Sequence, residues 1–211
     1  MAVLEEIRLS IEHGRPKDTE KLVRRALEEK VPPEDILEHG MIPAMRNVGE
    51  AYKNYTADIP RILSAARGMR KGMDVLEPFL GPEENRYIGT VILGTVAGDL
   101  HDVGKNLVAI MFRSAGFKVI DLGVDISDRQ FLKALKENPE TSIVCISSLL
   151  TTSMPEMRQI VKSLHKSDKE HRLKIMVGGG SVTQEFADEI GADGYTENAV
   201  DAAELAKTFL I

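Results

Sequence analysis

Asp99 and His101 stand two residues apart in the segment Gly98 to Asn106, GDLHDVGKN, a spacing at which an acid and an imidazole can meet within one loop. A neutral imidazole binds a transition metal through one ring nitrogen, and a carboxylate on the other nitrogen fixes the tautomer and makes the ligand more basic. One imidazole is too few donors for a metal held by protein alone, which takes about three or four. The pair points to a metal that brings its own equatorial ligands, as a macrocycle does. An Asp99 that only caps the following helix, beside a solvated His101, fits the same spacing.

His101 and Asp102 are also similar to the HD motif of metal-dependent phosphohydrolases. Those proteins are all-helical and gather further His and Asp ligands. Here the motif follows an apolar run, and the other histidines are His13, His39, His165 and His171. Two more segments have uneven chemistry. Ser147, Ser148, Thr151, Thr152 and Ser153 form a hydroxyl cluster, and Gly178, Gly179 and Gly180 are consecutive glycines, against whose bare backbone a bulky or planar group can lie. The dinucleotide fingerprint GxGxxG does not occur, since Gly94 and Gly98 are wrongly spaced. The third apolar run ends in Ile146 and Ser147, so the phospho-accepting Asp of a response regulator is missing too.

These residues need elements that present them together. Ile88 to Val96 is a β-branched, nearly continuous apolar run, as in a strand buried on both faces of a parallel sheet. A helix over Val103 to Ala115 follows, then a strand at Lys118 to Leu122 and a helix at Asp128 to Asn138. Ser142 to Ile146 reads as the third strand, Glu156 to Lys166 as its helix, and Lys174 to Val177 as the fourth strand. A helix at Thr183 to Ile190, a short strand at Gly194 and Tyr195 and a helix at Ala199 to Phe209 complete five βα units. Strict alternation predicts a doubly wound five-stranded parallel sheet, Rossmann or flavodoxin-like, with ligands at the strand ends.

Before residue 81 the periodicity is helical throughout. Leu4, Ile7 and Ile11 mark one helix, Leu22, Val23, Ala26 and Leu27 a second, Pro32 to Gly40 the start of a third, Met41 to Tyr52 its continuation and Pro60 to Leu76 or Phe79 the last. A bundle of four to five helices over 1–85, joined near Gly81 to Arg86 to an α/β domain over 86–211, is the expected organisation. Met41, Met45, Met69 and Met73 read as packing.

The net charge of −6 comes without a basic block, which excludes the electrostatic footprint of a nucleic-acid binder. A single cysteine, Cys145, rules out an internal disulfide and fits a reducing cytoplasm. No apolar run approaches the roughly 20 residues that span a bilayer, and the first residues lack the apolar core of a signal peptide, so a cytoplasmic protein with no membrane partner is expected.

Asp99, His101 and Gly104 after the first strand, Ser147 and Leu149 after the third, and Gly178 with Gly179 after the fourth resemble the B12-binding domain of cobalamin-dependent methyltransferases, such as the cobalamin module of methionine synthase. The preceding bundle resembles their helical cap. The resemblance implies that cobalamin or a related corrinoid is bound, with His101 as lower axial ligand of cobalt, Asp99 on its far nitrogen and Ser153 completing a relay. It implies that Gly104 leaves room for the displaced nucleotide tail in a slot lined by Ser147, Leu149, Thr151 and the backbone of Gly178 and Gly179, with Asp102, Val103 and Gly180 also binding the cofactor. A free-standing cap and corrinoid domain is similar to carriers that shuttle methyl groups on cobalt from a substrate-specific methyltransferase to an acceptor methyltransferase using tetrahydrofolate or a thiol, sometimes with a reductive activase. A cobalamin-dependent sensor is the regulatory alternative. The carrier reading also implies a cap that moves, with Gly81 to Arg86 as hinge. Asp58 precedes Ile59 and Pro60 where relatives place an aromatic or bulky apolar residue over the upper cobalt face, leaving Tyr52, Tyr55, Ile59 and Leu63 as substitutes.

Overall fold

A computed structural model describes residues 2–80, 87–170 and 172–210. The chain divides into a helical unit that ends at Tyr87 and an α/β unit that begins at Ile88. The proposed hinge, Gly81 to Arg86, and His171 lie outside the described residues.

In the helical unit, α1 (Ala2–Glu12) buries Val3, Ile7 and Ile11, one residue per turn along a single stripe. α2 (Pro16–Glu28) opens on a proline, whose fixed φ suits a first helical turn, and buries Thr19, Val23 and Ala26. Gly14 turns the chain between them at φ +61, where a Cβ would stand 2.5 Å from the Cβ of Ser64. α3 (Pro33–Asp35) passes through a π-helical segment (Ile36–Met41) into α4 (Ile42–Lys53). α5 (Ile59–Leu76) is capped by Asp58, whose carboxylate accepts from the Arg61 N–H at 3.0 Å. The helices thus match the expected bundle. Met41, Met45 and Met69 are buried in it.

In the α/β unit, β1 (Thr90–Thr95), β2 (Lys118–Asp121), β3 (Thr141–Ser147), β4 (Lys174–Gly178) and β5 (Gly194–Tyr195) form one parallel sheet in the order β2-β1-β3-β4-β5. This is a doubly wound order whose ligand crevice opens where the winding reverses, between β1 and β3. Every residue of β1 is buried, as the unbroken apolar run requires of a central strand. The helices are α6 (Val103–Ser114), α7 (Asp128–Glu137), α8 (Met154–Ser167), α9 (Gln184–Ile190) and α10 (Ala199–Thr208). One core cluster includes Ile92, Val96, Phe131, Val144, Met157, Ile160 and Leu164.

The register matters most for function. Thr95 of β1 pairs with Ser147 of β3, and Ser147 pairs with Gly178 of β4. The three loops that carry the predicted site therefore leave the sheet from one row. Two backbone bonds extend that row, from Val96 N–H to the Ser147 carbonyl and from Ser148 N–H to the Gly178 carbonyl, each 3.0 Å.

Candidate functional site

The loop after β1 turns back on itself at Gly98, φ +78, and drives the Asp99 side chain inward. Asp99 is 0% exposed, yet all of its acceptor capacity near the loop is used. Oδ1 accepts from the His101 backbone N–H at 2.9 Å and lies 2.7 Å from His101 Nδ1. Oδ2 accepts from the backbone N–H groups of Leu149 and Leu150 at 2.6 and 3.2 Å. Burial pushes the Asp99 carboxyl up, but the bonds from the His101 backbone, Leu149, the His101 ring and Leu150 outweigh it and hold the group at about 2.

An ionised Asp99 can only accept, so Nδ1 of a neutral His101 carries the ring hydrogen and Nε2 keeps its lone pair. The His101 side chain is 53% exposed. The hydroxyl of Thr95 donates to the His101 carbonyl at 3.0 Å. Neighbouring apolar side chains stand out from the surface: Leu100 is 72% exposed, Val103 69% and Leu149 44%. A Cβ added at Gly98 or Gly104, in the same loop, or at Gly123, after β2, would meet nothing within 4 Å.

This donor set decides what the site fits. Among the described residues no group of three or more His, Cys, Asp or Glu side chains could hold a metal ion. Asp102 turns instead to Asn106, accepting from its side-chain amide at 3.0 Å. One directed imidazole lone pair amid exposed leucine and valine side chains fits a metal carried in a flat, largely apolar ring.

The remaining predicted residues fall around the crevice. Ser147 ends β3, Thr151 to Ser153 form a short 3-10 turn, and α8 starts directly after it. The Ser153 hydroxyl donates to the Leu150 carbonyl at 2.9 Å and pairs with Ser148 Oγ at 2.7 Å. It makes no bond to Asp99, because both Asp99 oxygens are already taken; the link runs through Leu150, whose carbonyl meets Ser153 and whose N–H meets Asp99. Of the three glycines, Gly178 is nearly open, with a Cβ reaching only the Thr196 carbonyl at 4.0 Å. Gly179 sits at φ +120 with a Cβ position 2.0 Å from the Ser148 carbonyl oxygen, and at Gly180 a Cβ would stand 2.6 Å from Leu149 Cδ1. Those two glycines let the β4 loop lie against the β3 loop.

Sequence reasoning gave no role to several residues that shape this site. Lys105 is buried, and its Nζ donates to both oxygens of Asp121, 2.8 and 2.7 Å, and to Asn106 Oδ1 at 2.7 Å. Asp121 Oδ1 also accepts from the Gly123 N–H at 2.9 Å. Asp125, at φ +58, accepts from the Gly98 N–H at 2.7 Å and donates its own N–H to the Asp99 carbonyl at 3.1 Å. A charge closing an apolar strand was the only available signal for Asp121. In the helical unit the Asp58 carboxylate is engaged at its helix N-terminus. Tyr55 is exposed at φ +56, and Ile59 and Leu63 are partly exposed one turn apart on α5.

Comparison with known proteins identifies the family. Residues 89–204 match a family described as B12 binding domain, and residues 3–77 match a second of the same description. A corrinoid protein of Desulfitobacterium hafniense (strain Y51) is 37% identical over 213 residues, covering 100% of this chain and 98% of its own. Dimethylamine corrinoid protein 3 of Methanosarcina acetivorans is 39% identical over 182 residues, 86% of this chain and 85% of its own. Among solved structures, the methanol:cobalamin methyltransferase complex MtaBC from Methanosarcina barkeri aligns with a TM-score of 0.89 at 26% identity, over 99% of this chain and 80% of the matched one.

Proposed function

This chain belongs to the B12-binding domain family and is a corrinoid-binding protein, and from that premise we propose that it carries methyl groups between two methyltransferases. One partner takes the methyl group from a substrate and the other delivers it to tetrahydrofolate or a thiol, with a reductive activase restoring the carrier after oxidation. The relatives named above are corrinoid proteins, and the aligned structure is a cobalamin methyltransferase complex, which supports this reading. Among the described residues no helix is long and apolar enough to cross a membrane, and the reading places the carrier in the cytoplasm with its partners. It divides the chain into a cap, 1–85, and a cobalamin-binding domain, 86–211.

The observation that carries the proposal is the isolated Nε2 of His101, held outward while Asp99 takes Nδ1 at 2.7 Å. When bound, the corrinoid supplies a cobalt centre able to accept a methyl group and give it up. His101 would hold the cobalt through Nε2, and Asp99 would keep the hydrogen on Nδ1 so that this nitrogen stays available. Ser153 acts on Asp99 indirectly, by fixing the Leu150 peptide that donates to it. Gly104 leaves space beside α6 for the nucleotide tail. Asp102 and Val103 border that space, and Ser147, Leu149, Thr151 and the backbone of Gly178, Gly179 and Gly180 form the wall opposite. Leu100, Val103 and Leu149 exclude water from the imidazole once a ring covers them. The protein positions and tunes; the cofactor holds the reactivity.

The test is to load the wild type and His101→Ala with hydroxocobalamin and record visible spectra, then supply a substrate methyltransferase. The wild type is expected to retain corrin bands that shift in His101→Ala, and to become methylated. A wild type that washes free of corrin overturns the proposal.

A further inference from the structure

We propose that Thr95 is a positioning residue for His101, fixing the imidazole from the sheet side so that Nε2 alone is left to meet cobalt; this rests on the corrinoid-carrier reading. Thr95 closes β1 and is fully buried. Its N–H donates to the Gly123 carbonyl at 3.0 Å, and its carbonyl accepts from the Ile126 N–H at 2.9 Å. The residue is thereby bonded on both backbone groups to the segment after β2, on the rigid part of the fold.

Only its hydroxyl reaches out of the sheet, donating to the His101 carbonyl at 3.0 Å. Asp99 Oδ1 meanwhile holds the His101 N–H and Nδ1. Three of the four hydrogen-bonding groups of His101 are thus fixed by two residues, on opposite sides of its Cα. Asp99 ties the ring and the N–H of His101 to one carboxylate in the same loop, and the Thr95 hydroxyl ties the carbonyl on the other side of Cα to the end of β1, so the residue that bears the ring is anchored to the sheet as well as to its loop. A group that orients a metal-binding imidazole typically changes metal affinity about 10- to 100-fold when removed, and a strand end is a more exact support than a loop.

The experiment uses the full chain with heavy-nitrogen-labelled histidine, as wild type, Thr95→Val and Thr95→Ser. Each is loaded with hydroxocobalamin, reduced to cobalt(II), and examined by electron paramagnetic resonance, with binding affinity measured in parallel. Coordination by a labelled imidazole splits the cobalt signal into doublets, whereas the cofactor's own unlabelled base gives triplets. Thr95→Val keeps the branched shape and loses the hydroxyl: the doublet is expected to fade and affinity to fall about 10- to 100-fold. Thr95→Ser restores the hydroxyl and is expected to restore both, an outcome that a role in folding alone does not produce. A doublet of wild-type amplitude in Thr95→Val, or a folded Thr95→Ser without one, overturns the assignment while leaving the carrier reading intact. A wild type that binds no corrin, or binds it without the doublet, overturns the His101 ligation on which both stand.

Discussion

The hydroxyls of Ser148 and Ser153 lie 2.7 Å apart in the interior, beneath the loop whose N–H groups bind Asp99. With the Ser153 hydroxyl donating to the Leu150 carbonyl at 2.9 Å, the one proton of Ser148 goes to Ser153 Oγ, so the two form a chain that ends on the Leu150 peptide. Ser148→Ala is expected to destabilise the protein by about 1 kcal/mol, the typical net worth of such a bond. In a double-mutant cycle measured by urea unfolding, Ser148→Ala and Ser153→Ala together should cost less than the sum of the two. Strictly additive losses would show that the two hydroxyls do not interact.

The Asp99 carboxyl is held at about 2, below its ordinary 3.8. A depressed carboxylate contributes stability that is present above the unfolded value and lost as pH falls through the folded one. The apoprotein should therefore owe on the order of 2 kcal/mol to Asp99 ionisation near neutrality, shrinking between about pH 4 and pH 2. Unfolding of wild type and Asp99→Asn across that range checks it: the stability gap must narrow on acidification. A gap that stays constant or widens refutes the assignment.

Lys105 and Asp121 form a pair with one buried and one partly exposed member, the side chains being 2% and 25% exposed. Lys105→Met strands the carboxylate and should cost about 3 kcal/mol, the low end for breaking a buried pair because water still reaches Asp121. Combining it with Asp121→Asn should recover part of the loss. The comparison is read from unfolding midpoints in guanidinium, and a double variant worse than Lys105→Met contradicts the pairing.

Gly104 and Gly179 should respond in opposite ways to alanine. In α6 a Cβ at Gly104 meets nothing within 4 Å, so Gly104→Ala is expected to raise apoprotein stability by about 0.5–1 kcal/mol while weakening hydroxocobalamin binding. Gly179→Ala forces a methyl into the Ser148 carbonyl from a backbone that disfavours any side chain, and should lower thermal stability by several degrees or more. Calorimetry with and without cofactor separates the two, and unchanged cofactor binding in Gly104→Ala would remove the tail from that position.

What the sequence disclosed was whatever is written locally. The buried run Thr90 to Thr95, the prolines opening α2 and α5, and the loop with Asp99 and His101 each declare themselves within a few residues, so the alternating fold and the acid–imidazole pair were legible. The π-helical segment Ile36–Met41 was not, because it continues the helices on either side without a break in composition. The supports of the site were also hidden. Asp125 reaches Gly98 across 27 positions and Lys105 reaches Asp121 across 16, contacts that exist only once the sheet has placed β2 beside β1. Ser153 was legible as a site residue, but its partners were not: Ser148 Oγ and the Leu150 carbonyl meet it only once the 3-10 turn has formed.

Thr95, Ser147 and Gly178 stand in one row of the sheet, and this has a consequence for how such a protein can be re-engineered. Parallel strands that release their loops from a common rung can be cut there without changing strand length or core. Grafting the three loops of a relative as a set preserves the rung, whereas exchanging one loop alone leaves the incoming backbone facing the wrong neighbours: the β4 glycines need a Ser148-like carbonyl to lie against, and Asp99 needs two N–H groups from the β3 loop. The unit of inheritance in this site is the shelf, and its lips are exchangeable only together.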